Sequence, residues 1–466
     1  MTKLKPIPIH INDNPTYTKP PIEEFQGNPL IESLNPPANK KEISKLLLRL
    51  PKFDPEERTI PSSYRMFLPI RLSNFLYPTK DHYEIYRMIY IQIFTGYLYR
   101  NPITPAGQRF LYDYPQAPTI NPVRHQPSRI MFITGLSGIG KTALIRSILR
   151  CLGKAVIRHI NYQGHPFTES QIVYLMRNVP SQKTLKAFVR EYGEATDELL
   201  NEKLYAKSFK GSNTSKSEFS SQFRKIIKTH HLGLLIIDDF HNLSVSDRNC
   251  NEILSEIFKF REEMQLPVIL IGTYKADKIF TKEFSTNRRF IEGGFYDLER
   301  PSSSKNKFWR NLCKHTWKYQ WVKKPIPIDD KIIDTLYKFS QGITGIMLNL
   351  FILSQIEAIY REIETVDVSL LTKVYKIKFK PLHRILDILE KDHDKYKHDF
   401  DDLYLKGWQK MAEQDPLVNS VQELQKQNNQ KKDLEIGIID TESNLNKKSC
   451  NKGYTINELH DKVFGE

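Results

Sequence analysis

Eight residues, Gly135-Leu-Ser-Gly-Ile-Gly-Lys-Thr142, carry the spacing G-x-x-x-x-G-K-T between the apolar run Ile130–Thr134 and a segment of helical pattern. Glycines at Gly135, Gly138 and Gly140 let a backbone wrap a phosphate chain. The successive N–H groups of Ser137, Gly138, Ile139 and Gly140, with a helix N-terminus behind them, supply fixed positive potential. Lys141 is placed to reach β- and γ-phosphates, and the Thr142 hydroxyl to coordinate Mg²⁺. His231-Leu-Gly-Leu-Leu-Ile-Ile-Asp238-Asp239 is the natural second half. A buried strand ending in an acid sets Asp238 beside the metal at the carboxyl edge of a sheet, and sets Asp239 to orient and deprotonate an attacking water. Pro267-Val-Ile-Leu-Ile-Gly-Thr273 is a further strand ending in a hydroxyl, suited to holding that water. The plainer reading of Thr273 is a cap after a strand. In Thr286-Asn-Arg288-Arg289-Phe290 an arginine pair sits in an expected loop. It suits donation to a γ-phosphate bound by a neighbouring copy, against the alternative of a solvent-facing charge pair. The chemistry implied is ATP hydrolysis with Mg²⁺.

Elements of definite length must position these residues. Strands are expected at Ile130–Thr134, Val156–Ile160, Ile172–Leu175, Leu234–Ile237 and Val268–Ile271, and helices at 142–152, 182–202, 217–230 and 246–264. Ser215-Lys-Ser-Glu218 announces the third of these helices as a capping box. Strands and helices alternating at these lengths predict an α/β fold, a doubly wound parallel sheet covered on both faces. After Pro301 the pattern is all-helical, at about 304–322, 329–339, 343–362, 367–376 and 381–392, which predicts a helical lid subdomain. Of 27 prolines, 19 fall within residues 1–127, too dense for long helices or central strands. The expected division is therefore a proline-rich arm over 1–60, a helical or irregular extension over 61–127, an α/β core over 128–300, the lid over 301–400 and a polar tail over 401–466. Within the arm, Asn28-Pro-Leu-Ile-Glu-Ser-Leu-Asn-Pro-Pro37 either docks on a partner or, by default, straps its own domain. In the extension, Ile85, Ile89, Ile93 and Tyr97 mark a helix over 81–99. In the tail, 412–452 reads as a linker and Tyr454–Phe464 as one amphipathic helix.

Lys+Arg 69 against Asp+Glu 54 leaves a formal charge of +15, with a pI near 9.3. That surplus favours an anionic partner, nucleic acid before a membrane surface. A hydrophobic fraction of 39% excludes global disorder. The longest apolar runs are too short to cross a bilayer, and Met1-Thr-Lys-Leu-Lys-Pro6 has no apolar core of a signal peptide. Cys151, Cys250, Cys313 and Cys450 lie far apart, as in a reduced cytoplasmic protein without a disulfide framework. For DNA contact, Trp309, Cys313 and Trp317 repeat at i, i+4, i+8 beside Arg310, Lys314 and Lys318. A lid helix with its apolar face inward is the simpler account of that stripe. Lys207, Lys210 and Lys216, Arg158, and Lys183 and Lys186 are weaker candidates.

P-loop, acid-ended strand, hydroxyl-ended strand, arginine loop and helical lid, in that order, resemble an AAA+ ATPase and count against a small-molecule kinase. A closer resemblance is to the TnsC family, AAA+ target-selection regulators of Tn-seven-like transposons. It is carried by Leu232-Gly-Leu-Leu-Ile-Ile-Asp-Asp-Phe-His-Asn-Leu243, Leu266-Pro-Val-Ile-Leu-Ile-Gly-Thr-Tyr-Lys-Ala276, Phe339-Ser-Gln-Gly-Ile-Thr-Gly345, Leu350-Phe-Ile-Leu-Ser-Gln355 and Phe379-Lys-Pro-Leu-His383. Asn28–Leu34 and Tyr99-Arg-Asn-Pro102 extend it, so that it covers about 25 to 392. The resemblance implies ATP-driven rings or filaments around double-stranded DNA. It also implies partners: a target-site selector of TnsD or TniQ type, the transposase TnsB and the nuclease TnsA. Lys141, Thr142, Asp238, Asp239 and Thr273 would keep the roles given above, with Arg288 and Arg289 as fingers. Asp239 stands where the family usually has Glu, and Tyr274 where Pro is usual; the shorter acid suggests slow hydrolysis. Asn349 offers no cation in the lid helix. The alternatives are a signalling ATPase that controls protein partners without DNA and a replication-initiator-like ATPase.

Overall fold

The runs Ile130–Thr134 (β2), Leu235–Asp238 (β6) and Val268–Ile271 (β7) are buried at every residue. In a computed structural model of the chain they form the middle of a five-stranded sheet, in the order Leu175–Asn178 (β5), β6, β7, β2 and Phe295–Asp297 (β8). Every pairing is parallel: Ile130 is opposite Val268, Leu235 opposite Val268, and Leu175 opposite Leu235. The structure describes residues 11–112, 128–208, 216–243, 248–276 and 292–391. The chain divides into two units, Met1–Tyr404 and Leu405–Glu466; all the described residues belong to the first. Arg288, Arg289, Lys210, Ser215, Cys450, the 412–452 linker and the Tyr454–Phe464 helix lie outside them, as do the side chains of Lys207 and Lys216.

Side chains of a strand alternate between faces, so each strand feeds two cores. Phe132, Leu235, Ile237, Val268 and Leu270 pack on one side with the helices Leu185–Leu200, Lys216–Thr229 and Arg248–Met264 through Phe188, Phe223, Ile257 and Phe260. Met131, Ile133, Ile236, Ile269 and Ile271 pack on the other with the helices Lys80–Leu98 and Lys141–Leu152. Ile85, Ile89, Ile93 and Tyr97, spaced four apart, are the buried stripe of Lys80–Leu98. The fold is α/β, as expected.

Three expectations are corrected. The strand near Val156 does not join the main sheet. Val156–Tyr162 (β3) pairs antiparallel with His165–Ile172 (β4) and parallel with Ile11–Asn12 (β1) in a separate three-stranded sheet. The hairpin turns at Gln163-Gly164, whose φ values of 51° and 85° are both left-handed, the geometry that matches the twist of the flanking strands. The single strand expected over Ile172–Leu175 is accordingly two: Ile172 closes β4, and Leu175–Asn178 is β5, the edge of the main sheet. A short strand absent from the reading, Phe295–Asp297 (β8), forms the other edge beside β2.

The front is a strap of short helices and turns. Asn28 caps Pro29–Glu32, and Asn39 with Glu42 forms a capping box on Lys40–Leu47. Their apolar residues Leu30, Ile31, Ile43 and Leu47 are buried in the core beneath the main sheet. The chain after Pro301 is helical at Lys307–Trp317, Asp330–Ser340, Thr344–Tyr360, Val368–Lys378 and His383–Lys391, with a core of its own. Among the described residues no single helix is long and apolar enough to cross a membrane; Asp330–Ser340 and Thr344–Tyr360, bent by 117°, qualify only as a pair. Cys151, Cys250 and Cys313 are buried.

Candidate nucleotide site

Because the main sheet is parallel, the ends of its strands converge on one edge. The loop after β2, Asp238 at the end of β6 with Asp239 after it, Thr273 after β7, Asn178 at the end of β5 and Asp297 at the end of β8 all lie there. Gly138 and Gly140 have φ of 82° and 109°, a region that side chains with a Cβ rarely adopt. The helix Lys141–Leu152 opens from Gly140 with no side chain capping it, which leaves its first N–H groups to the loop. Lys141 is buried, and its Nζ donates to the carbonyls of Gly135 at 2.8 Å and Leu136 at 3.0 Å.

Thr142 Oγ1 donates to Asp238 Oδ2 at 2.7 Å, joining the loop to the acid-ended strand. Asp238 is 4% exposed, and its other oxygen accepts the Asp239 N–H at 2.8 Å. Asp239 has a left-handed backbone, φ 53°, and its Oδ2 accepts from Asn178 Nδ2 at 2.7 Å. Asn178 and Asp238 are register partners on neighbouring strands. Thr273 is buried, and its Oγ1 has no hydrogen-bond partner among the described residues. Tyr274 donates its hydroxyl to Asp297 Oδ1 at 2.6 Å.

A cavity of about 160 Å³ adjoins the loop at Gly138 to Gly140. Its other walls are Tyr77 and His82 from the front segment, Leu298 after β8, and Phe308 and Leu348 from the helical part. Gly345 N donates to Gly138 O at 2.9 Å and ties the helical part to the loop. Burial lowers the His82 imidazole to about 4, so it is neutral at pH 7. Asn349 is exposed, and the residues its helix gives to the cavity, Thr344, Gly345 and Leu348, are uncharged.

A hydroxyl and a carboxylate oxygen in contact are hard donors of the kind Mg²⁺ takes. With the left-handed glycines, Lys141 and the orphaned Thr273 hydroxyl, these residues fit a triphosphate with Mg²⁺. Hydrogen bonds link Thr142, Asp238 and Asp239, and Thr273 follows the neighbouring strand β7 at the same end of the sheet; Arg288 and Arg289 lie outside the described residues. The aromatic stripe is not a DNA surface. Trp309, Cys313 and Trp317 are buried in the helical core, and Arg310 pairs with Asp330 at 2.5 Å. Arg158 pairs with Asp13. Sequence reasoning missed Asn178, signalled only by a polar residue ending a strand. It also missed the Tyr77–His82 wall, which carried no signal.

The family described as an AAA domain matches residues 124–280. No curated protein matches the chain. Among solved structures it is similar to the Aeropyrum pernix Orc1 protein in complex with DNA, at 15% identity and a TM-score of 0.40, over 57% of this chain and 64% of that one. It is also similar to Cdc6p from Pyrobaculum aerophilum, at 12% identity and a TM-score of 0.40, over 68% and 69%. A third is the Drosophila ORC bound to DNA, at 12% identity and a TM-score of 0.39, over 82% and 86%. This chain thus spans just under two thirds of the Aeropyrum protein's length. The chain carries an AAA domain and has the AAA+ P-loop ATPase fold.

Proposed function

We propose that the protein is an ATP-dependent, DNA-binding regulator of transposition. In this reading it assembles on target DNA through ATP sites shared between copies, and couples a TnsD- or TniQ-type selector to TnsB and TnsA. The observation that carries the nucleotide part is the Thr142–Asp238 hydrogen bond, which brings the P-loop and the acid-ended strand into one site. The transposition part is supported by the resemblance of the Phe339–Gly345 and Phe379–His383 segments, which lie outside the match at 124–280.

Lys141 and the loop N–H groups bind the phosphates, and Thr142 with Asp238 would hold Mg²⁺, which would neutralise phosphate charge. Asp239 orients the attacking water and takes its proton, after giving up Asn178 or sharing an oxygen with it. The Thr273 hydroxyl acts as a second holder of that water. Arg288 and Arg289 complete the site of a neighbouring copy.

The test is anisotropy of a labelled duplex with ATP, a non-hydrolysable analogue, ADP or no nucleotide, across a salt series, beside light scattering for assembly. Binding that needs a triphosphate form and ignores sequence supports the reading. Lys141→Ala should abolish nucleotide-driven assembly. ATP binding without any duplex binding would favour the signalling ATPase.

A further inference from the structure

Between Val368 and Leu386 the sequence holds five cations, Lys373, Lys376, Lys378, Lys380 and Arg384, and not one Asp or Glu. All five are exposed, and none forms an ion pair among the described residues. Several arginines elsewhere are neutralised: Arg65 by Glu364, Arg158 by Asp13, Arg261 by Glu292, Arg310 by Asp330. Lys373, Lys376 and Ile377, at i, i+3 and i+4, share one face of the helix Val368–Lys378, and Lys380 opens the tight turn just after it. The opposite face, Leu370, Leu371, Val374 and Tyr375, is buried in the helical core.

That face is held rigidly. Asp367 caps the helix through Leu370 N at 2.8 Å. Past its end, Lys380–Leu382 forms a tight turn, and His383 Nε2 donates to Tyr375 O at 3.1 Å. The Tyr375 ring stacks between Phe339, 4.1 Å away, and His383, 4.4 Å away. The Phe379–His383 segment, to which the nucleotide site assigns no role, thereby fixes the helix that carries the cations.

We propose that the face bearing Lys373, Lys376 and Lys380, flanked by Arg384, docks the phosphate backbone of duplex DNA. The inference rests on the DNA-binding reading above and locates the contact. Lys373 and Lys376, about 5–6 Å apart on one helix face, and Lys380 just beyond it line up to reach successive phosphates of a strand that carries one about every 3.4 Å of axis. Lysines are point charges without the planar fork that reads bases, so the contact is independent of sequence. The neighbouring aromatic rings are turned inward, which leaves none to stack the bases of a single strand. The apolar face is committed to the core, and Ile377 is the face's one exposed apolar residue, so nothing is available to insert into a membrane.

The experiment uses full-length protein with the non-hydrolysable analogue and compares wild type, Lys373→Gln/Lys376→Gln/Lys380→Gln and a charge-matched control, Lys40→Gln/Lys41→Gln/Lys45→Gln, on the exposed side of the strap helix. Duplex affinity is measured against salt. Loss of three phosphate contacts should flatten the slope of log affinity on log salt by about 2.7 and weaken binding roughly 10- to 100-fold near 0.15 M salt. ATP affinity and melting temperature should stay as in wild type, and the control should bind DNA as wild type does. An unchanged slope in the first variant overturns the surface and leaves DNA binding standing; equal losses in both variants overturn it in favour of bulk charge. Wild type that fails to bind duplex overturns the reading beneath it. If phosphatidylserine vesicles, not duplex, capture wild type and release the first variant, the surface belongs to a membrane.

Discussion

Asp238 and Asp239 are adjacent in the chain and held by different partners. Thr142 fastens Asp238, whereas Asp239 sits on a left-handed backbone with one oxygen taken by Asn178. Accepting from Asn178 makes that oxygen a weaker acceptor for the proton of the water. A hydrogen bond to a charged group is worth about 1.5–3 kcal/mol, roughly 10- to 100-fold in rate. Asn178→Ala is therefore expected to raise single-turnover hydrolysis by roughly 10-fold or more with ATP affinity unchanged; a fall in turnover would make Asn178 a helper and not a restraint. Thr273 gives a prediction of two signs. Its hydroxyl is buried without a partner among the described residues, which is unfavourable for the folded state. Thr273→Val should stabilise the nucleotide-free protein by about 1 kcal/mol in urea melts and lower turnover. A variant that is both stable and fully active would reduce Thr273 to a strand cap.

The small sheet of β1, β3 and β4 is tied to the strap by polar groups as well as apolar ones. His159 on β3 accepts from Tyr17 at Nδ1, at 2.8 Å, and donates from Nε2 to Gln171, at 3.0 Å, while Gln171 also accepts from Ser33. Burial lowers His159 to about 4, and burial does the same to His82 and His230. Unfolded histidine titrates near 6.5. Between about 6.5 and 4 the unfolded chain therefore binds more protons, and stability falls with falling pH. Each of the three should cost about 2 kcal/mol by pH 5, and His159→Gln should lose its share of the difference between melts at pH 7 and pH 5. A melting midpoint indifferent to pH over that range would refute the buried neutral histidines. This sheet also marks where reading the sequence stopped. β2, β6 and β7 were legible because a strand buried on both faces is apolar along its run, broken only by Thr134 and Asp238 at the ends of β2 and β6. The hairpin was not, since Val156–Ile172 alternates weakly and its turn is Gln-Gly rather than Asn-Gly. β8 is three residues long, beneath any periodicity. Lys141, Thr142 and Asp238 could be read from spacing along the chain, whereas Asn178 and the Tyr77–His82 wall reach the site only through packing across it.

Across the whole first unit, the front segment and the helical part are joined by a buried ion pair. Arg65, fully buried, donates to Glu364 at 2.7 Å from Nη1 and 2.5 Å from Nη2, and to the Trp321 carbonyl at 3.0 Å. Glu364 also accepts the Lys323 N–H at 3.0 Å. Two walls of the nucleotide cavity, Tyr77–His82 and Phe308–Leu348, belong to the two segments this pair connects. Desolvating both charges offsets most of their attraction, so the pair adds little net stability, yet breaking it strands a charge in the interior. Arg65→Met, which leaves the Glu364 carboxylate without its cation, should cost about 3–5 kcal/mol. Arg65→Met with Glu364→Gln removes both charges and should recover more than half of that loss, because the amide oxygen introduced by the second substitution would still accept from Lys323. Saturating ATP at about 100 times Kd should add about 2.7 kcal/mol to wild type. The single variant should gain less, since its cavity walls are no longer fixed to each other, and the double variant should return to the wild-type gain. Urea melts of the three proteins with and without ATP read all of these quantities. Equal stability of the single and double variants would show that the stranded charge is not what destabilises the first, and an undiminished ATP gain in the single variant would show that the cavity walls are held without the pair.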